Sequence, residues 1–147
     1  AQKIAKMNSN IYNLRLFGCF GQHEESQRLF RSCYDKFNDG QNAEISYDKY
    51  MDYFYAQDVG RVIDFIVNGP SPLTPRDINL CYTRKYKLSD YANKIKRLTN
   101  SDSSVIIYNK ELTKPYTGSG ERLKSLNIDL VGLNKGIEEC LKSWSKS

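Results

Sequence analysis

Polar and apolar positions along the chain change period several times, and the sharpest change lies in "MDYFYAQDVGRVIDFIVNG", residues 51–69. Tyr53 and Tyr55 alternate with Phe54 in a short aromatic run that predicts a buried strand, which Asp58 stops. Val59, Val62, Ile63, Ile66 and Val67 then fall at i, i+3, i+4, i+7 and i+8, the spacing of one apolar helix face, and Asn68-Gly69-Pro70 ends it. Asp58 is expected to cap this helix by accepting first-turn N–H groups, where the helix dipole also favours a carboxylate.

The same alternation continues on both sides. "QKIAKM" reads as the last turns of a helix without an N-terminal cap, and "IYNLRLFGCFG" (11–21) as one buried strand with Gly18 and Gly21 at turns or close approaches. A helix through Leu29, Phe30, Cys33 and Phe37 ends in "NDG", and "AEISY" follows as a strand. "DINLCY" and "SSVIIY" are strands flanking a helix marked by Leu88, Tyr91, Ala92, Ile95 and Leu98, which Ser89 or Asp90 helps to start. "GSGERLKSLN" predicts a short helix and "LNKGIEECLKSW" a final one with Leu133, Ile137, Cys140, Leu141 and Trp144 on one face. Strands alternating with helices define an α/β fold, in which ligands sit outside the carboxyl ends of the strands. Gly18 to Gly21 and the residues bordering "SYDKYM" therefore become the first contact candidates.

Composition narrows the class. With 147 residues, 39% hydrophobic and 27% charged, the chain fits one globular domain, 1–147. No apolar run approaches the roughly 20 residues that cross a bilayer, and the start carries no leader pattern, so the expected location is cytoplasmic, with no membrane partner. Cys19, Cys33, Cys81 and Cys140 form no Cys-x-x-Cys pair and have one histidine, His23, for company; buried thiols are expected, and no metal site. The net charge of +5 and the 11 tyrosines invite a nucleic-acid partner. Yet "TRKYK" (83–87) and "NKIKR" (93–97) are short clusters interleaved with apolar positions, as on a solvated face, which makes that partner unlikely. A basic surface also suits a phosphorylated small molecule.

Four blocks, in order, resemble the C-terminal half of the extended short-chain dehydrogenase/reductases, the NAD-dependent epimerase/dehydratase family that acts on nucleotide sugars. "NLRLFGCFG" is similar to its Leu-Arg-x-x-Asn-x-Tyr-Gly strand, and "MDYFYAQDVGRVIDFIV" to its Arg-Asp-Phe-x-x-Val-x-Asp-Val-Ala strand and helix. "INLCYTRKYKLSDYANKI" is similar to the Asn-Val-Gly strand with its Thr-Leu-x-Glu-Leu-Ala helix, and the stretch from "GSGERLKSLN" to "CLKSW" to the closing Lys-x-x-x-Leu-Gly and Leu-x-x-Gly-Leu pattern. The resemblance implies an extended Rossmann-type fold without its N-terminal dinucleotide-binding βαβ units. Neither the Gly-x-x-Gly-x-x-Gly loop nor the Tyr-x-x-x-Lys pair of the family occurs, and "TGSGERL" lacks the context of a dinucleotide loop. "AQKIAKM" resembles the tail of the helix that carries the catalytic lysine, so the chain is expected to be truncated at its N-terminus and inert by itself. NAD(P) is implied for the parent protein, an isomerase or oxidoreductase, and no cofactor for this part.

The implied ligand is a nucleotide sugar, and the implied contacts follow position by position. Gly18 stands where the family has asparagine, so backbone contact is expected beside Cys19 and Phe20 while the side-chain contact is lost. Met51 stands where the family has a diphosphate-binding arginine, and Lys49 is the substitute charge. Lys110 and Lys114 correspond loosely to a later arginine, without its planar fork, and Tyr116 is placed to lie against base or sugar. Arg15 is expected to be a structural hydrogen-bonding residue, Asn79 to sit at a strand end near the cleft, and His23 to be a surface residue. The alternative is a stand-alone binding or interaction module with the same fold, which the losses at Gly18 and Met51 favour. The chain is expected to be monomeric or to associate through sheet edges.

Overall fold

The computed structural model describes residues 11–69 and 72–146; the helical tail expected over 2–7 lies outside them. The elements run β1 (Asn13–Leu16), β2 (Cys19–Phe20), α1 (Leu29–Asn38), β3 (Ala43–Tyr47), β4 (Phe54–Tyr55), α2 (Ala56–Val67), β5 (Asp77–Leu80), α3 (Leu88–Leu98), β6 (Val105–Asn109), α4 (Glu121–Lys124) and α5 (Leu133–Trp144). Their strands join as three two-stranded parallel pairs, β1 with β5, β2 with β4 and β3 with β6. Parallel pairs need long crossovers, and here helices supply them.

The run at 11–21 is two strands rather than the single one its apolar pattern predicts. Leu14 pairs with Ile78 in β5, whereas Cys19 pairs with Phe54 in β4, so the chain changes partner at Phe17-Gly18. Glycine permits this change. A Cβ on Gly18 would lie 2.9 Å from both the Asp52 carbonyl and the Tyr53 ring, while the Gly18 carbonyl accepts the Phe54 N–H at 2.9 Å.

Two apolar clusters hold the elements together. One joins Phe20, Phe30, Tyr55, Tyr91, Ile137 and Trp144 between α1, α3 and α5, with Phe20 stacked on Phe30 at 4.5 Å. The other joins Phe54, Val62, Ile78, Leu80 and Leu123 around β5 and α2. On α2 the expected apolar face is narrower than predicted: Val62 is buried and Val59 and Ile66 pack beside it, but Ile63 and Val67 are 46% and 74% exposed. The second core reaches only the inner side of the helix, so the outer two residues of the predicted stripe face water.

Asp58 also departs from its expected role. Helix α2 begins at Ala56, so Asp58 lies inside its first turn and is fully buried. Its Oδ1 accepts the Val131 N–H at 2.6 Å, and its Oδ2 accepts the Gly132 N–H at 2.9 Å and the Tyr82 hydroxyl at 2.5 Å. The carboxylate therefore anchors the chain where it enters α5. Asp48 does the same for α3, accepting the Ser89 N–H at 3.1 Å and the Ser89 hydroxyl at 2.6 Å, while Asp90 accepts the Lys87 N–H at 2.8 Å. Helices α3 and α5 are thus both started by acids from distant parts of the sequence, and α3 also by its own Asp90.

Candidate binding cleft

Strand β3 lies beside helix α1 across a cleft of about 600 Å³, within the range of small-ligand sites. Its formation follows from the two periods that meet there. On α1, Leu29, Ser32, Cys33 and Lys36 recur at helical spacing and share one face; on β3, alternation buries Ala43 and Ile45 and leaves Glu44 and Ser46 outward, while Tyr47, of the same parity as the buried pair, is exposed where the strand ends. Lys49, Leu88 and Thr113 close the far side. The cleft thus combines apolar lining with hydroxyls, an aromatic side chain 57% exposed at Tyr47, and two lysines.

The two lysines differ. Lys36 stands 3.6 Å from Glu44, whose carboxyl is held below its usual range by the Tyr108 hydroxyl, 2.7 Å away, and by that lysine. Lys49 makes no ion pair among the described residues, so its charge is free for a ligand. Chemically the cleft suits an anion that carries a planar apolar group.

The sequence-derived candidates fall into four places. Lys49 lines the cleft. Met51 and Tyr116 form a parallel bridge just beyond it, two and three residues on from Lys49 and Thr113, with Tyr116 packed edge-on against Phe17 at 5.3 Å. Gly18 lies beside this bridge, since its missing Cβ meets the Asp52 carbonyl, and its open side is filled by the Tyr53 ring. Cys19 and Phe20 line a separate hollow of about 350 Å³ with Glu24 and Arg28; Phe20 is 2% exposed and belongs to the core. Lys110 and Lys114 are exposed on the segment following β6. Ser32, Lys36, Ser46, Tyr47 and Thr113 were not singled out from the sequence; the i, i+3, i+4, i+7 run from Leu29 to Lys36 was the one local signal.

Around these groups the supporting contacts are made. Arg15 donates to the Asn79 side-chain Oδ1 at 2.7 Å, and the Asn79 side-chain amide donates to the Ser119 backbone carbonyl at 3.0 Å, tying the ends of β1 and β5 to the following loop. Lys85 pairs with buried Asp52 at 2.8 Å, and Asp52 also accepts the Gly118 N–H at 2.8 Å. His23 is exposed, and all four cysteines are free, with Cys33, Cys81 and Cys140 buried and Cys19 half-buried. Burial pushes the Cys33 and Cys140 thiols up to about 12, which removes them as nucleophiles at neutral pH. No group of three potential metal ligands occurs among the described residues. The glycines of 117–121 form no dinucleotide cradle: a Cβ on Gly118 would meet the Phe17 ring at 2.5 Å, and one on Gly120 the Cys81 carbonyl at 2.5 Å, so both serve close packing before the short α4. No helix among the described residues is long and apolar enough to cross a membrane.

The fold is similar to that of the C-terminal half of solved Rossmann-type epimerases. Among solved structures, the chain is similar to a UDP-N-acetylglucosamine 4-epimerase from Methanobrevibacter ruminantium M1 in complex with UDP-N-acetylmuramic acid, with TM-score 0.72 and 14% identity over 90% of this chain and 45% of the other. It is similar to UDP-glucuronic acid 4-epimerase from Bacillus cereus in complex with UDP-glucuronic acid and NAD, with TM-score 0.70 and 15% identity over 93% and 46%. A GDP-D-glycero-L-gluco-heptose synthase from Campylobacter jejuni, solved in the presence of NADPH, matches with TM-score 0.72 and 11% identity over 92% and 53%. The chain thus spans about half the length of these structures. No family model matches it, and no curated protein matches it by sequence.

Proposed function

We propose that the chain is the substrate-binding part of an NAD(P)-dependent nucleotide-sugar epimerase, dehydratase or reductase, and that the cleft between α1 and β3 receives the nucleotide. The observation that carries this is the cleft's make-up: apolar lining, the exposed Tyr47 ring and the unpaired Lys49 ammonium together match a base, a ribose and a diphosphate. Lys49 would hold the diphosphate as a point charge, and the sugar would run toward Met51, Tyr116 and the Gly18 turn, with Lys110 and Lys114 adding charge at the rim. Cys19 and Phe20 would support that turn. The similar solved proteins that hold UDP sugars support this ligand class.

NAD(P) chemistry, hydride transfer at a sugar carbon, would belong to a dinucleotide-binding half, since the residues described in this chain do not fit the cofactor. Calorimetry on the 147-residue chain tests the reading: UDP-, GDP- or dTDP-glucose should bind weakly and NAD not at all. Tight NAD binding without nucleotide-sugar binding would overturn it. A second reading, a non-catalytic module that binds through the same cleft, is favoured by Tyr53 filling the open side of Gly18 and by the uncharged Met51. Mass measurement of the protein from its native source separates the two: a chain of about twice 17.0 kDa fits the enzyme, and one of 17.0 kDa fits the module.

A further inference from the structure

The two basic clusters that look like solvated faces in the sequence meet in space. Arg84, Lys85 and Tyr86 from the segment before α3, and Asn93, Lys94, Lys96 and Arg97 from α3 itself, wall a hollow of about 710 Å³ that Leu133 and Asn134 of α5 complete. It shares no lining residue with the cleft between α1 and β3.

Its charge is compensated only in part. Lys85 is bound to Asp52, but Arg84, Lys94, Lys96 and Arg97 make no ion pair with a described residue. The one acid in the wall, Asp90, accepts the Lys87 N–H at 2.8 Å and offsets one of these four charges. Four cations in one concavity repel one another, and a multivalent anion relieves that repulsion. The wall also contains two amide side chains, Asn93 and Asn134, and the first turn of α5, the positive end of that helix, borders it.

We propose that this hollow binds an oligophosphate, an anion with several phosphate groups on a small molecule. Arginine forks and lysine point charges pair with phosphate oxygens, and the volume matches a small ligand. A single-stranded nucleic acid would instead require stacking rings along an extended groove. The Tyr86 ring is already engaged, with the Arg84 guanidinium 5.0 Å from its centroid and the Tyr91 ring at 5.6 Å. The proposal is independent of what the cleft between α1 and β3 holds.

Inorganic tripolyphosphate is the probe, titrated into the 147-residue chain at low salt by calorimetry and by backbone-amide NMR. Saturable binding is expected, with shifts at Arg84, Asn93, Lys94, Arg97 and Asn134. Lys94→Glu with Arg97→Glu should weaken it at least about tenfold, Lys94→Gln with Arg97→Gln by a smaller factor, and Lys49→Glu not at all. Arg97 is exposed and Lys94 half-buried on α3, and an unchanged far-UV circular dichroism spectrum certifies the fold. Binding that does not saturate, that ignores both double variants, or whose shifts fall on Lys36 and Lys49 would overturn the proposal. So would a single-stranded oligonucleotide that displaces tripolyphosphate from the same residues at tenfold lower concentration, which would give the hollow to nucleic acid.

Discussion

The joint around Asp58 and the cleft between α1 and β3 treat their polar groups in opposite ways. At the joint a fully buried carboxylate is saturated by two backbone N–H groups and a tyrosine hydroxyl, and Gly136 presses against the Tyr55 ring so closely that a Cβ would sit 2.7 Å from it. At the cleft, Tyr47 is exposed and the Lys49 ammonium has no ion-pair partner among the described residues. A buried polar group without partners costs free energy, so saturation marks residues that hold the fold. Polar groups left open at a concave surface are free to meet a ligand. Asp58, which resembles a family motif residue, accordingly belongs to architecture, and Lys49 is the residue we propose for ligand contact.

Substitutions at the joint should show the largest effects. Asp58→Ala leaves three buried donors without an acceptor and should lower stability by upwards of about 3 kcal/mol in urea denaturation. Gly136→Ala should cost about 1–3 kcal/mol by overpacking against Tyr55, read in the same experiment. A second acid, Glu24, sits between the two extremes. Its side chain is 2% exposed and one carboxylate oxygen has no hydrogen-bond partner, while the other is 3.4 Å from Arg28. Burial, opposed by the Arg28 charge, pushes its pKa up from 4.5 to about 7.

Because the folded chain then holds this proton more tightly than the unfolded one, Glu24's contribution is complete below pH 4.5 and is lost as pH rises to about 7. Glu24→Gln should flatten that fall and raise stability at pH 8 by about 1–2 kcal/mol, with little gain at pH 4.5. Thermal melts across this range check the sign. The smallest stability change belongs to the cleft: Lys49→Ala should stay within about 0.5 kcal/mol of the parent protein. Its nucleotide-sugar affinity should nevertheless fall about tenfold, or about 1.4 kcal/mol. A large stability loss at Lys49, or none at Asp58, would collapse the contrast.

Much of the fold was legible from periodicity because the elements carry strong local patterns. "AEISY" and "LNKGIEECLKSW" match β3 and α5 residue for residue. The break at Gly18 was not legible, since "IYNLRLFGCFG" is continuous in character and the change of pairing partner is decided by β4 and β5, far along the chain. The role of Asp58 was misjudged for a related reason: a local capping rule finds the right helix, but its three hydrogen-bond donors come from residues 82, 131 and 132. At the cleft, Lys49 was visible through the family resemblance. Ser32, Ser46 and Thr113 carry no local signal, because only the packing of α1 beside the β3–β6 pair brings them together. The basic hollow was hidden likewise, as each of its clusters alone has the spacing of a solvated face.

Whether the α1–β3 cleft receives a nucleotide sugar is decided by backbone-amide NMR of the 147-residue chain titrated with UDP-, GDP- and dTDP-glucose. At least one of them, at millimolar concentration, should shift Ser32, Ser46, Tyr47, Lys49 and Thr113 together, and Lys49→Ala should weaken the response. Shifts confined to other surfaces, or none in the cleft with any of the three, would contradict the proposal.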